Sequence, residues 1–359
     1  MLRALQVIAL GRAFVRQRNR RRRAIAKHYA AFYEYAWRGA AEELGASFDA
    51  LGDGIADIAL DGAMTRVAGS FCAIDDPATL ELAGNKPLSY SLLHKAGIPV
   101  PPHVRFSLSD VAKADAFRRG SDCDCVVKPA RGTGGGRGVT TGVQTRWHLA
   151  KAAASAAVYG DDLLIEREVP GDNYRLLYLD GELIDAFVRH PPTVTGDGRS
   201  TIGRLVESAN EQRTSAGSAV SQVLIAVDLE MRRTLSRHGL SLRSIPEAGR
   251  VVQLKTVINE NSGSDNVTAM TSLCSSIVAE GEKAVAVLRT RFAGVDVITR
   301  DPTVPLPESG GVVLEVNTTP GLYYHYHKRD GSFPAAVHVL RRLLTGRQRV
   351  EMAEAGVLA

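Results

Sequence analysis

The segment Val126-Val127-Lys128-Pro129-Ala130-Arg131-Gly132-Thr133-Gly134-Gly135-Gly136-Arg137-Gly138-Val139 holds five glycines among three cations. Glycines let a backbone fold close to a ligand with its N–H groups free to cradle phosphate oxygens. Lys128 and Arg137 add positive charge. No G-K-[ST] closes the segment, so it is not a Walker loop. A strand and not a helix follows the glycines, so it is not a dinucleotide fingerprint. By itself the segment reads equally well as a mobile hairpin turn.

A second group lies near the C-terminus, where Gly294-Val295-Asp296-Val297-Ile298 precedes Gly310-Gly311-Val312-Val313-Leu314-Glu315-Val316-Asn317. Strand side chains alternate, so Glu315 and Asn317 share a face, and Asp296 on a neighbouring strand can share it too. Two carboxylates and an amide oxygen are hard donors of the kind Mg²⁺ takes together with water and phosphate oxygens. An exposed strand face carrying ordinary acids is the plain alternative.

Two further segments are polar breaks after apolar runs. In Leu163–Arg175 an apolar strand with Glu166 runs into Val169-Pro170-Gly171-Asp172-Asn173, which can present backbone to a base and acids to ribose, or form a salt-bridged turn. In Arg189–Ile202 the Gly196-Asp197-Gly198 turn leads to Ser200 and Thr201, either of which can cap the next helix. Arg189 could neutralise a phosphoryl group in transfer. His190, His325 and His327 are the candidates for a general base, although histidines are more often packing residues.

These groups need elements to hold them. Residues 1–46 are rich in Ala, Leu, Arg and Glu and lack Pro, which predicts a helix ending at Leu44-Gly45, with Phe32, Tyr35 and Trp37 turned inward. Asp61-Gly62 and Asp180-Gly181 predict hairpins, the second over 174–190. Helices are expected from Pro87 to Gly97 and at 146–158, 201–212, 228–238, 274–292 and 333–345. Strands are expected at 125–129, 138–143, 163–169, 293–299 and 311–317. Hairpins mixed with helices argue for an α+β fold and against a doubly wound parallel sheet.

The composition is that of a globular chain, with 45% hydrophobic and 23% charged residues. The formal charge of +5 is uneven. Residues 1–28 hold Arg3, Arg12, Arg16, Arg18, Arg20, Arg21, Arg22, Arg23 and Lys27 and no acid, which leaves 35 basic residues against 39 acidic ones elsewhere. Such a run is a solvated helix face or a contact for an acidic surface or partner. No specific nucleic-acid recognition is predicted. Cys72, Cys123, Cys125 and Cys274 form no C-x-x-C pair, and reduced thiols in a cytoplasmic protein are the simplest account. No signal peptide or membrane-spanning run is evident.

The order of the pieces is more specific than any one of them. Asn85-Lys86, Gly97-Ile98-Pro99-Val100-Pro101, Val-Val-Lys-Pro with glycines, Ile-Glu-Arg, and an Asp ahead of Glu-Val-Asn together resemble the ATP-grasp superfamily across roughly 75–345. Pro170–Tyr178, the Gly-Asp-Gly loop and Gly294-Val295-Asp296 are most similar to the ATP-grasp domain of cyanophycin synthetase, with glutathione synthetase and D-alanine–D-alanine ligase more distant. The chain is too short for the Mur-ligase-like domain of cyanophycin synthetase, so the expectation is a single-step ligase.

The resemblance implies ATP held between two α+β subdomains, at 75–165 and 166–345, with a mixed N-terminal region at 1–74 and a tail at 346–359. Lys86, Lys128, Gly132, Gly134, Gly135 and Gly136 would contact the phosphates. Glu166 and Val169 would hold adenine, and Asp172 or Asn173 the ribose. Asp296, Glu315 and Asn317 would bind two Mg²⁺ ions, for which Mn²⁺ can substitute. Arg189, Lys128 and Asn259 would act in catalysis, while Arg175, Thr318, Thr319, Gly321 and Tyr323 would line the substrate pocket.

Two departures stand out: Asn173 at the expected ribose acid, and loss of a double glycine from the loop Leu254–Asn266. The implied reaction joins a small-molecule carboxylate to an amine through an acylphosphate, on amino acids or small peptides. A nucleotide-binding module and a kinase-like transfer are the other readings. A homodimer and an acidic partner at the N-terminus are further expectations.

Overall fold

The computed structural model describes the backbone of residues 2–133, 136–215 and 223–356, and the side chains of these apart from 2–19, 264 and 346–356. In chain order the elements are α1 (Leu2–Leu44), β1 (Ser47–Gly52), β2 (Ile55–Leu60), β3 (Ala63–Ala68), β4 (Phe71–Cys72), α2 (Pro77–Gly84), α3 (Lys86–Lys95), β5 (His103–Phe106), α4 (Val111–Arg119), β6 (Cys125–Pro129), β7 (Thr140–Val143), α5 (Arg146–Ala157) and β8 (Leu163–Arg167). There follow β9 (Asp172–Leu179), β10 (Glu182–Arg189), β11 (Thr193–Thr195), α6 (Ile202–Thr214), α7 (Leu229–Arg237), β12 (Val251–Gln253), β13 (Asn266–Thr268), α8 (Ser275–Leu288), β14 (Phe292–Thr299), α9 (Leu306–Ser309), β15 (Val312–Thr318), α10 (Tyr323–Tyr326) and α11 (Ala335–Gly356).

Local chemistry explains most boundaries. Asp76, Thr145, Thr201 and Asp228 accept backbone N–H groups at the starts of α2, α5, α6 and α7. Asp61-Gly62 and Asp180-Gly181 both take positive φ at both positions, as a two-residue hairpin turn demands. Three antiparallel sheets result, of order β1-β2-β3-β4, β5-β8-β6-β7 and β13-β10-β9-β14-β15, with β11-β12 a small ribbon. The expected α+β class holds. The expected division between 165 and 166 falls inside β8, so the first subdomain's sheet runs on to Arg167. The expected tail from 346 begins as a continuation of α11.

The N-terminal region is built into the main core. Phe32, Tyr33, Ala36, Trp37, Ala40 and Ala41 form a buried stripe on α1. The stripe meets Ile58 and Val67 of the first sheet, Leu177, Leu179 and Phe292 of the five-stranded sheet, and Leu340 and Leu344 of α11. Tyr35, expected inside, is 70% exposed. Steps of three and four residues keep 33, 36, 37 and 40 together, and 35 falls on the opposite side of the helix. Trp37 seals the contact by donating its indole N–H to the Gly69 carbonyl at 2.9 Å. Trp37→Ala should lower the unfolding free energy by about 3–5 kcal/mol, read by urea titration followed by circular dichroism. A loss below about 1 kcal/mol would mean that α1 docks without this ring.

Candidate functional site

Helix α3 links the β5-β8-β6-β7 sheet to the five-stranded sheet through hydrogen bonds to Lys128 of β6 and Leu314 of β15. Lys128 leaves β6 as a buried side chain, and its Nζ lies 2.7 Å from Glu166 Oε1 on β8. The two strands are direct neighbours, with Val126 opposite Glu166 and Lys128 opposite Leu164. Lys86 opens α3, and its Nζ lies 2.8 Å from Glu315 Oε1 on β15. Burial opposes the Lys86 charge, but Glu315 beside it holds the ammonium above its ordinary value. Tyr90, one helical turn beyond Lys86, donates its hydroxyl to the Leu314 carbonyl at 2.8 Å and accepts from Lys128 Nζ at 3.1 Å. Tyr90 therefore ties both sheets to α3. The sequence signal for it was its i+4 spacing from Lys86, which the motif reading passed over.

On the five-stranded sheet, register puts the second group on one face. Asp296 pairs with Glu315 on one side and Arg175 on the other, and Asn317 pairs with Gly294. Asp296 is buried between two guanidiniums: Arg175 Nε at 2.5 Å from Oδ1 and Arg189 Nη2 at 2.6 Å from Oδ2. Burial pushes the Asp296 carboxyl up, and Arg175 and Arg189 more than reverse this, holding it below the usual carboxylate range. Arg189 also donates to Asn173 Oδ1 from Nε at 2.9 Å and Nη2 at 2.6 Å. Gly294 makes the arrangement possible, since a Cβ there would sit 2.8 Å from Arg175 Nη1. The Asn317 amide nitrogen lies 3.4 Å from Asp296 Oδ2.

Most of the expected residues thus come together: Lys86, Lys128, Glu166, Arg175, Arg189, Asp296, Glu315 and Asn317. Among the described residues no three His, Cys, Asp or Glu side chains gather as a metal cage. The set Asp296, Glu315 and Asn317 is two carboxylates and an amide. That donor chemistry fits a hard divalent cation whose remaining ligands are phosphate oxygens and water, and does not fit a soft metal.

The other expected residues are placed as follows. Gly134 and Gly135 lie outside the described residues. Gly136, at φ 68°, packs against the loop before β13, where a Cβ would meet Val257 Cγ1 at 2.7 Å and Asn259 Nδ2 at 2.9 Å. Asn259 therefore borders the glycine segment, and Gly132 lies exposed at its start. Asp172 is exposed at the start of β9, whereas Asn173 is buried and engaged with Arg189. Val169 follows β8, partly exposed.

Thr318, Thr319 and Gly321 form the turn leaving β15, with Thr319 at φ 46°. Tyr323 is buried. Its ring stacks on His327 at 4.2 Å and meets Phe32 of α1 edge-on at 5.1 Å. Its expected place on a pocket wall is taken up by packing against α1. Tyr33 of α1 accepts the Leu322 N–H at 3.0 Å, so the first helix anchors this turn. Glu230, which the sequence reading missed, is buried on α7 and accepts from the N–H and hydroxyl of Thr141 at 2.7 and 2.8 Å. It braces β7, the strand that leaves the glycine segment.

No protein-family profile matches the chain. It is similar to cyanophycin synthetase from Trichormus variabilis, 31% identical over 256 residues that make up 70% of this chain and 28% of that protein. It is 29% identical over 253 residues to a glutathione biosynthesis bifunctional protein from Enterococcus faecalis, covering 69% of this chain and 33% of that one. Among solved structures, a bifunctional glutathione synthetase from Pasteurella multocida matches with TM-score 0.52 and 24% identity, over 83% of this chain and 41% of that one. The chain spans less than a third of the length of the cyanophycin synthetase it matches.

Asp296→Asn should leave the buried Arg189 and the partly buried Arg175 short of a countercharge and lower stability at neutral pH by about 3–5 kcal/mol. Because the folded carboxyl is depressed, the stability it supplies is complete above its unfolded value of about 3.9 and is lost as pH falls through the folded value. Urea titrations across a pH series should accordingly fall more gently on the acid side for the variant. Equal stability of the two proteins at neutral pH would refute the pairing.

Proposed function

This chain belongs to the ATP-grasp superfamily, and on that premise we propose that it is an ADP-forming ligase that joins a carboxylate to an amine. The observation that carries the proposal is the convergence of Lys86, Lys128, Arg175 and Arg189 with Glu166, Asp296 and Glu315 between two sheets. Four cationic side chains meet three carboxylates there. Each carboxylate is matched, and one positive charge is left over. MgATP brings phosphate oxygens for the cations and a metal for the carboxylates, so the two sets can exchange partners with little change in net charge.

Lys86 and Lys128 bind phosphate oxygens in this proposal. Gly132, Gly134, Gly135 and Gly136 supply backbone N–H groups to the same phosphates. Glu166 and the Val169 backbone receive adenine, and Asp172, the exposed acid beside Asn173, receives ribose. Asp296, Glu315 and Asn317 would hold Mg²⁺, for which Mn²⁺ can substitute, and the metal would supply charge neutralisation at the phosphates. Arg189 sits where charge builds up on the transferred phosphoryl group. Arg175, Asn259, Thr318, Thr319 and Gly321 border the carboxylate and the amine. The substrate carboxylate attacks the γ-phosphorus in line and displaces ADP. The amine then attacks the acyl carbon, and phosphate leaves. The protein's part is positioning and charge neutralisation.

Amino acids or small peptides are the proposed substrates. Cyanophycin synthetase and the glutathione biosynthesis protein support this class by their names, and the altered loop at 254–266 supports a different donor or acceptor. A cytoplasmic location, a homodimer and an acidic partner for the basic N-terminus belong to the same proposal and rest on the sequence. Among the described residues no helix is long and apolar enough to cross a membrane.

The test is ADP release from MgATP with the common amino acids and their dipeptides, with and without hydroxylamine. Substrate-dependent ADP with hydroxamate is expected, and Glu315→Gln should lower both by at least about 100-fold. A stable phosphorylated product without amide would replace the ligase with a kinase-like enzyme. Nucleotide binding with no turnover would leave a binding module. Full activity in Glu315→Gln would remove the metal assignment.

A further inference from the structure

Among the buried titratable groups that the proposed machinery leaves unused, one is unpaired at a ring nitrogen. His325, on α10 just past the turn that follows β15, is fully enclosed. Its Nδ1 lies 2.7 Å from Asp185 Oδ2 on β10. Asp185 is itself buried, and its other oxygen accepts from Lys328 Nζ at 2.6 Å. Burial pushes the Asp185 carboxyl up, and His325 and Lys328 together more than reverse this. Asp185 is thus an anion, and His325 donates to it from Nδ1. That hydrogen bond sets the tautomer and leaves the Nε2 lone pair available. Nε2 has no hydrogen-bond partner among the described residues, although it is buried. Buried polar atoms are overwhelmingly paired, so an orphan of this kind calls for a ligand.

Its position relates it to the site. His325 packs edge-on against Phe187 at 4.9 Å. Phe187 lies opposite Arg175 in the β9–β10 register and two residues from Arg189 on β10. The dyad therefore borders the sheet face that carries Arg175, Arg189 and Asp296. It stands where the apolar core under α1 gives way to charge. The turn Thr318–Leu322 leads directly to it.

We propose that His325 Nε2 is the base that takes the proton of the acceptor amine, with Asp185 as a positioning residue held by Lys328. The inference rests on the ligase reading above. In the second step the amine lone pair forms the C–N bond. The acyl C–O bond breaks with its electron pair departing on phosphate, and one N–H proton passes to Nε2. Asp185 stabilises the imidazolium that forms. The charged groups facing His325 are Asp185, Lys328 and Arg175. Burial, reinforced by Lys328 and Arg175 against Asp185, holds its basicity below the ordinary value, so it is neutral and ready to accept at physiological pH.

The decisive variant is His325→Asn. An Asn amide nitrogen can replace Nδ1 as the donor to Asp185, while Nε2 is lost. With MgATP and the common amino acids and their dipeptides as donors and acceptors, amide formation should fall by about 10²-fold or more. Hydroxamate formation uses a nucleophile already neutral at the assay pH and should fall less than about threefold by the same reasoning. The residual amide rate of the variant should climb steadily with pH, because deprotonation of the amine in solution then limits it. MgATP affinity and thermal unfolding would establish that the variant is folded, and His325→Gln carries the same test if it is not. Amide formation within about threefold of wild type would make His325 a packing residue. Equal losses of amide and hydroxamate would make it structural. Absence of hydroxamate from the wild-type protein would overturn the ligase reading and this inference with it.

Discussion

Asp296 held between Arg175 and Arg189 is the constraint on which the rest of the site depends. A carboxylate buried in the middle of a five-stranded sheet is costly unless its charge is matched and its oxygens are hydrogen-bonded. Each of its oxygens has a guanidinium partner, drawn from β9 and β10. This fixes the relative positions of β9, β10 and β14 through side chains as well as through backbone ladders. It also explains Gly294, since any side chain there would occupy the space of the Arg175 guanidinium. In the proposed function phosphate competes for Arg189, so the interaction that orders this face is one that ligand can replace.

The second theme is how the two sheets are kept apart yet registered. Tyr90 reaches Leu314 on one sheet and Lys128 on the other, with Lys86 one turn away bound to Glu315. Helix α3 therefore carries a row of polar contacts that spans the cleft. On the far side, Glu230 of α7 secures β7, and buried Lys255 pairs with the exposed Asp228 and the partly buried Glu260. Those contacts hold the glycine segment and the loop at 254–266 against one another, which accounts for the close approach of Gly136 to Asn259. The loop at 254–266 is thus kept in place by ion pairs.

The N-terminal helix has a larger part than its basic composition suggests. Its first half carries the arginines, and Arg21 reaches Glu207 on α6. Its second half is core, and Tyr33 and Phe32 settle the turn after β15 and the rings of Tyr323 and Tyr326. The N-terminal region is therefore in contact with the turn that follows β15. The pattern of burial follows from geometry: a helix laid across the end of a sheet buries the stripe facing the sheet and leaves residues such as Tyr35 in water.

Sequence alone determined the α+β class, the longer helices and strands, the two hairpin turns and the shared face of Asp296, Glu315 and Asn317, while α2, α4, α9 and the short strands β11, β12 and β13 went unread, and the resemblance to a known superfamily joined Lys86, Lys128 and Arg189 to the group. It could do so because glycine, proline and capping residues act locally, and because side-chain alternation on a strand is a fixed geometric rule. Only the tertiary structure decided which partner each charge takes. Glu166 meets Lys128, Asp296 meets two arginines, and Tyr323 turns into the core instead of lining a pocket. Those choices depend on strand order and register between segments distant in sequence, more than a hundred residues in the case of Arg175 and Asp296. The Asp185–His325 pair is the clearest case. His325 is one of three candidate bases in the sequence, but nothing local ties it to Asp185, and 140 positions of chain separate them. Burial together with a hydrogen bond across that distance makes them a unit, and pairing at that range is a property of packing that no local pattern encodes.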